Sequence, residues 1–357
     1  MIKRVILFVL LWLGSWLLIG QECEDIGYED RPIELNYRTN LSTNVRNVPL
    51  TVHVIQDGDG QTNLDLNHAL EAIEDFNEQS SFVDLFVCRI NYINNRDYWY
   101  LEGSEHTALR VAENDPNTMN MYFTNTVISP FSGNSVCGFA YYPTNSELNK
   151  GVSVIRNSCA NNNNGTTISH ELGHNFDNKH SHSSSELVDR ENGNCSWAGD
   201  GYCDTPASPT LSSGNVNSDC EYVGSSTDND GIPYRDAEEY GALPPDPTNY
   251  MGFSRKICRS HFSDEQENDH AIAADFYMQF FGCNALSTPD RTKPDFEVYP
   301  NPFKDQINMT KEVEYVLYDM RGRKIKSGYG AIINTKELKS GTYLLRTNNG
   351  VVRVIRK

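Results

Sequence analysis

Residues 170–180 read His170-Glu171-Leu172-Gly173-His174-Asn175-Phe176-Asp177-Asn178-Lys179-His180. On a helix, His170 and His174 are four residues apart, so both rings project from one face and can hold one metal ion. Glu171 lies beside them as a candidate general base, and His180 follows a turn as a third candidate ligand. A catalytic zinc site needs three protein ligands and a fourth position for water. The stretch therefore predicts a zinc-binding helix and a hydrolytic metal centre.

The residues before this stretch alternate between strand and helix patterns. Apolar residues recur with helical spacing in 63–79, at Leu66, Leu70, Ile73 and Phe76. Runs typical of strands occupy residues 49–55, 82–93, 119–123, 138–142 and 151–155, and the last of these leads into the metal-binding helix. This order predicts a mixed α/β sheet in front of the metal site.

The residues after His180 are rich in Gly, Ser, Asn and Asp up to Pro247, which predicts loops. Residues 262–281 then predict a second amphipathic helix with Ile272, Phe276 and Phe280. Nine cysteines suit an exported, oxidised protein and leave at least one without an intramolecular partner. Four of them are expected to staple the loops, in any of three pairings: Cys195, Cys203, Cys220 and Cys258.

The first residues predict a signal peptide at 1–20, because Lys3 and Arg4 precede an apolar run that ends at a polar segment. The alternatives are an uncleaved membrane anchor and a lipoprotein acylated at Cys23, although Glu22 does not suit a lipobox. After cleavage we expect no stable membrane span. Residues 21–46 predict a short pro-segment or tether, in which Cys23 forms a disulfide, stays an inert thiol or blocks the zinc.

The charge is distributed unevenly along the chain. The net charge is −18, whereas residues 289–357 hold 14 Lys and Arg against 8 Asp and Glu, so the remainder carries −24. An acidic catalytic part argues against nucleic acid as a partner and leaves room for calcium. A proline-bearing linker at 286–294 separates this part from residues 295–357, whose short strands and Gly and Asn turns predict a small all-β module.

Three segments in order resemble the pappalysin-like (cytophagalysin) metzincin zinc endopeptidases: 170–180, 199–206 and 249–253. The resemblance covers most of residues 48–283 and implies a metzincin-like domain at 47–285 that cleaves proteins or peptides. It implies that His170, His174 and His180 bind zinc, that Glu171 is the general base and that Met251 forms a methionine turn under the metal. It also implies structural calcium near Asp200, Asp204 and Thr205.

The sequence departs from the family pattern at two positions. Asp177 stands where glycine normally lets the backbone turn with positive φ, which Asp tolerates better than most residues. Phe253 stands where relatives commonly carry a tyrosine whose phenol helps to stabilise the oxyanion. These departures keep open a second interpretation, a catalytically weak or inactive metzincin-fold protein that serves in binding or adhesion.

The tail has its own resemblance, to the C-terminal sorting domain of type IX secretion. Three segments carry it: 298–302, 316–322 and 339–345. The resemblance implies a small β-sandwich that hands the protein to the type IX machinery, and hence a secreted or cell-surface location. The alternative is an ordinary carbohydrate- or protein-binding sandwich.

Overall fold

The computed structural model describes residues 21–24, 44–161, 166–182, 185–191, 193–283, 298–319, 324–347 and 350–357. The predicted signal peptide and linker, and most of the predicted pro-segment, lie outside these residues. Among the residues described, no helix is long and apolar enough to cross a membrane.

A six-stranded mixed sheet forms the framework of the acidic part, as predicted. Its strands are β1 (Gln21–Glu24), β2 (Arg46–Gln56), β3 (Val83–Asn94), β5 (Met119–Thr124), β7 (Val136–Ala140) and β8 (Val152–Arg156). They are ordered β1-β7-β8-β5-β2-β3, and all neighbours are parallel except β7 and β8. Two further strands, β4 (Tyr100–Leu101) and β6 (Thr126–Val127), pair separately.

In the part of the chain that the structure describes, six α-helices accompany the sheet: α1 (Leu66–Gln79), α2 (Arg96–Trp99), α3 (Glu105–Glu113), α4 (Asn157–Ala160), α5 (Thr166–Asn175) and α6 (Asp264–Tyr277). Asp65 begins α1 by accepting hydrogen bonds from two backbone amides, and Ser263 and Gln266 form a capping box on α6. The helix α3 was not predicted, because its nine residues are too short for a helical repeat of apolar residues to stand out.

The sheet is covered on both faces, which explains the nearly continuous apolar sequence of β2. On one face, Phe76 of α1, Phe176 beyond α5 and Tyr277 of α6 share one apolar core. Every residue of α5 is buried. The helix that carries two of the histidines is therefore held rigidly between the sheet and two other helices.

The second predicted helix is confirmed but shorter than expected. It was expected over 262–281 with Phe276 and Phe280 on its buried face, whereas α6 ends at Tyr277 and Phe280 is 41% exposed. Tyr277 is fully buried instead, together with Ala273 and Ala274. Small residues let this face approach β2 and β3 of the sheet closely, so the spacing of large aromatic residues alone was misleading.

The segment between α5 and α6 is mostly irregular, as predicted, with one 3₁₀ helix at Tyr234–Tyr240. Two disulfides cross-link this segment, Cys195–Cys203 and Cys220–Cys258. They correspond to one of the three pairings that the sequence allowed for these four cysteines. Two more join Cys88 to Cys283 and Cys137 to Cys159. The second of these ties β7 to α4, just before the metal-binding helix.

The tail is all-β, as predicted. It contains β9 (Val298–Tyr299), β10 (Gln306–Asp319), β11 (Lys324–Asn334), β12 (Gly341–Thr347) and β13 (Gly350–Arg356), all paired antiparallel in one sheet. Its own core includes Phe303, Leu317, Ile333, Leu345 and Val354. The strand β13 was not predicted, because arginines interrupt its short apolar pattern.

Candidate metal centre

Three imidazoles converge on one point at the end of α5. The Nε2 atoms of His170, His174 and His180 are 3.0 to 3.2 Å apart. Among the residues described, these three side chains form the group that could hold a metal ion. Ligands that surround one zinc ion tetrahedrally at about 2.0–2.1 Å lie roughly 3.3 Å from one another. The spacing of the three nitrogens therefore fits a single zinc ion.

The other ring nitrogens orient two of these imidazoles. His170 Nδ1 is 2.7 Å from the backbone oxygen of Tyr250, and His174 Nδ1 is 2.8 Å from that of Asn178. A carbonyl can only accept, so both rings carry their proton on Nδ1 and turn the Nε2 lone pair inward. Burial, with help from the neighbouring imidazole of His174, holds the pKa of His170 and His180 well below its usual value. Converging neutral lone pairs are what a cation needs.

The turn after α5 delivers the third histidine. Asp177 has φ of 80°, the left-handed conformation expected where the family carries glycine. The amide of Asp177 donates to the His174 oxygen, and the amide of Asn178 donates to the Gly173 oxygen. These bonds close the helix end and reverse the chain, which brings His180 back beside the first two rings.

Asn178 links this turn to α6, a role that the sequence did not indicate. Its side-chain nitrogen donates to the backbone oxygen of Gln266 at 3.1 Å, and its Oδ1 lies 2.6 Å from Nε2 of His270. His270 is fully buried and burial lowers its pKa to about 3, so it stays neutral. The carbonyl that orients His174 is therefore anchored in the core.

Met251 lies directly beneath the metal-binding helix. It is fully buried, and a Cβ at Gly173 would overlap its sulfur. Its backbone amide donates a hydrogen bond to Asn249 Oδ1 at 2.8 Å, and its backbone carbonyl accepts one from the amide of Ser181 at 3.2 Å. Glycine at position 173 thus allows the close approach of helix and methionine turn.

Glu171 is buried between α5 and β7. A Cβ at Gly138 would lie 2.7 Å from Glu171 Oε1 and 3.0 Å from the backbone oxygen of Val154. Glycine in β7 therefore leaves the space that the carboxylate occupies. The strand β7 and the first turns of α5 form the two walls beside this carboxylate.

The rings of Phe253 and His182 form another wall. Phe253 lies 4.6 Å from the ring centre of His180, and His182 stacks on His180 at 5.0 Å. His182 lies only two residues beyond His180, but it is outside the group of converging nitrogens. Tyr250 packs against Phe262 in the core, so its phenol does not replace the one missing at Phe253.

Three histidines away from the metal centre make contacts with neighbouring polar groups. Buried His53 lies 2.9 Å from Asn120 Oδ1, and buried His106 lies 2.7 Å from the Ile128 oxygen. Burial lowers the pKa of both to about 4. His261 pairs with Asp246 at 3.2 Å.

The residues expected at a calcium site are divided between two places. The Thr205 hydroxyl donates to the buried carboxylate of Asp200 at 2.9 Å, whereas Asp204 accepts from Ser263 and from the amide of Glu265 at the start of α6. Glu186, which the sequence did not indicate, is buried close to Asp200. Its Oε2 is buried and accepts no hydrogen bond from the residues described.

Comparison with protein families identifies two parts of the chain. Residues 63–181 match the reprolysin-like model of metallopeptidase family M12B, and residues 297–357 match the secretion system C-terminal sorting domain. The first match ends just after His180 and includes all three converging histidines. The chain therefore carries a reprolysin-like metallopeptidase domain followed by a type IX sorting domain. This domain pair makes it a secreted or cell-surface protein.

Curated relatives agree with this assignment. A protein called extracellular metalloprotease from Colletotrichum graminicola is 29% identical over 182 residues, which cover 47% of this chain and 54% of the relative. One of the same name from Uncinocarpus reesii is 26% identical over 181 residues, covering 47% of this chain and 52% of the relative. The chain thus spans about half the length of the curated relatives it matches.

A solved structure, metalloproteinase-II from Bacteroides fragilis, gives a TM-score of 0.28 at 13% identity, over 40% of this chain and 46% of that chain. A likeness at this level adds nothing to the family assignment, which rests on the sequence matches.

Proposed function

We propose that the protein is a zinc endopeptidase that hydrolyses peptide bonds in proteins outside the cell. The observation that carries the proposal is the convergence of three Nε2 atoms beside a buried glutamate, within a segment that matches a metallopeptidase family. His170, His174 and His180 are the proposed zinc ligands and Met251 is the floor of the site. The segments 199–206 and 249–253 favour the pappalysin-like branch.

In the proposed mechanism Glu171 moves the protons. Zinc, when bound, lowers the pKa of a coordinated water toward neutrality and polarises the scissile carbonyl. The Glu171 carboxylate would accept the proton of the attacking water and would later give it to the leaving amine. Because Gly138 leaves the carboxylate its space and α5 holds it rigidly, Glu171 keeps one position through both transfers.

We further propose the predicted domain limits. Residues 1–20 are a signal peptide, 21–46 a pro-segment or tether, 47–285 the catalytic domain, 286–294 a linker and 295–357 the sorting domain that engages the type IX machinery. The match of the sorting model to residues 297–357 supports the last limit.

We also propose a calcium site built by Glu186, Asp200 and Thr205, without Asp204. Oxygen ligands of this kind suit calcium. Burial raises the pKa of Glu186 to about 8, with a further contribution from Asp200, and burial raises that of Asp200 to about 6. Two adjacent buried carboxylates repel each other when ionised, and a divalent cation would remove that repulsion.

The competing function is a binding or adhesion protein with little or no catalysis, favoured by Phe253 at the oxyanion side of the metal. Measurements of zinc content and of casein cleavage by the full chain distinguish the endopeptidase from the binding protein. We expect one zinc per chain and cleavage that a chelator abolishes and added zinc restores, while His174→Ala loses both. Zinc-loaded protein that cleaves nothing would favour the competing function.

A further inference from the structure

The segment 199–206 contains a tyrosine, Tyr202, for which the family resemblance implied no role. Its side chain is buried between the loop, α6 and the turn after α5. The phenol hydroxyl donates a hydrogen bond to Oδ2 of Asp269 on α6 and accepts one from the side-chain nitrogen of Asn178 at 3.2 Å. Burial, with a further contribution from Asp269, raises the pKa of Tyr202 well above its usual value, so the phenol keeps its proton. The hydroxyl therefore joins α6 to the turn that delivers His180.

The loop that carries Tyr202 is itself fixed in place. The backbone amide of Tyr202 donates a hydrogen bond to Asp200 Oδ1 at 3.0 Å. The next amide, that of Cys203, donates to Glu265 Oε2 at the start of α6 at 2.7 Å, and the Cys203 sulfur is bonded to Cys195. The position of the phenol hydroxyl is therefore set by the loop as well as by its own partners.

Asn178 receives this support and contacts a proposed zinc ligand. Its buried side-chain amide donates to the backbone oxygen of Gln266 and to the hydroxyl of Tyr202, and its Oδ1 accepts from Nε2 of His270. Both amide N–H groups and the amide oxygen are thus used. The backbone oxygen of the same residue accepts a hydrogen bond from Nδ1 of His174 at 2.8 Å. A fixed Asn178 side chain therefore fixes the carbonyl that orients the His174 ring.

Building on the proposed function, we propose that Tyr202 is a positioning residue for the zinc ligand His174 and acts through Asn178. Groups that bond to the second nitrogen of a ligating histidine set its orientation, and their loss typically costs about 10–100-fold in metal affinity. Without the phenol hydroxyl, a buried N–H of Asn178 would lose its acceptor, which is costly and favours a displaced turn. Tyr202 acts one bond further from the metal, so we expect the lower end of this range.

The test measures zinc binding rather than cleavage. Zinc-free wild type and Tyr202→Phe are titrated with zinc against a competing chelator, and the absorption spectrum of each protein is recorded with cobalt in place of zinc. Phenylalanine keeps the buried ring and removes only the hydroxyl. We expect the Kd for zinc to rise about tenfold in the variant. We also expect the cobalt spectrum to shift, because it depends on the geometry of the ligands.

Tyr122→Phe is the matched control. Tyr122 is fully buried on β5, in the core on the face of the sheet away from α5, and its hydroxyl donates to Asn114 Oδ1 at 2.7 Å. Each substitution removes one buried, hydrogen-bonded hydroxyl, so both should lower the melting temperature. Only Tyr202→Phe should weaken zinc binding and shift the cobalt spectrum. A merely structural role for Tyr202 would make the two variants behave alike.

Tyr202→Phe protein that folds, binds zinc with wild-type affinity and keeps the cobalt spectrum would overturn the inference. If this variant does not fold, Asp269→Asn decides by the same two measurements, because it keeps the shape of the side chain that holds the hydroxyl and removes its charge. Cleavage of casein by the wild type is measured alongside. Zinc-bound wild type that cleaves nothing would overturn the proposed function alone, whereas wild type that binds no zinc would overturn both.

Discussion

At the scale of single residues, two glycines leave the space that side chains of the site occupy. Gly173 admits the sulfur of Met251 and Gly138 admits the carboxylate of Glu171. The candidate metal ligands and the candidate base could be proposed from the sequence, because i, i+4 spacing on a helix fixes which rings meet. The part played by Gly138 could not, since it reaches the site from a strand far away in sequence.

Gly138→Ala should impair catalysis without removing the metal. The new methyl group would press on Glu171 Oε1, and a displacement of about 1 Å in a catalytic group can cost roughly a hundredfold in rate. We expect kcat to fall roughly tenfold to hundredfold while zinc content stays at one per chain. Gly282→Ala is the matched control, because no atom lies within 4 Å of its Cβ. Loss of zinc, or an unchanged kcat, would show that Gly138 does not hold the base in place.

At the scale of elements, local patterns predicted α1, α5 and the strands of the main sheet other than β1, because in these places one pattern covers one element. The strand β1 falls in the segment predicted as a pro-segment or tether. Local patterns predicted the segment between α5 and α6 only as loops. Its structure depends on disulfides, on the left-handed turn at Asp177 and on hydrogen bonds such as that between Asn178 and His270, which join distant positions. The calcium site expected at Asp200, Asp204 and Thr205 stays a prediction, and the Asp204 carboxylate accepts hydrogen bonds at the start of α6.

The buried carboxyl groups of Glu186 and Asp200 predict that the stability of the folded protein depends on pH. Burial raises the pKa of Glu186 in the folded protein from its usual 4.5 to about 8. Between these two pH values the folded state therefore keeps a proton that the unfolded state has lost. Without calcium, stability should therefore fall as pH rises from 4.5 to 8. Saturating calcium should raise the melting temperature by several degrees at pH 8 and much less at pH 5.

Glu186→Gln is the control for this prediction. It removes the ionisable group, so the fall in stability above pH 4.5 should become shallower and the calcium effect at pH 8 should shrink. The measurement is thermal unfolding of zinc-loaded protein with and without calcium. An equal calcium effect at both pH values in the wild type would contradict the proposed site.

At the scale of the whole molecule, an acidic metallopeptidase domain is joined to a basic all-β sorting domain. The two were separable from sequence because composition and charge change together near residue 289. The disulfides Cys88–Cys283 and Cys137–Cys159 brace the sheet and the entrance to α5, and their pairing could not be deduced because it depends on which strands are neighbours. Export into an oxidising space and a metal site built from neutral histidines both fit the secreted hydrolase that we propose.

The central claim is that Glu171 moves protons in a zinc-dependent cleavage of proteins. It is tested most directly by comparing wild type and Glu171→Gln in zinc content, thermal unfolding and cleavage of casein. The substitution keeps shape and removes the base, so both proteins should bind one zinc per chain and unfold alike, while cleavage falls by at least about a hundredfold in the variant. Cleavage by zinc-loaded Glu171→Gln at the wild-type rate would contradict the account.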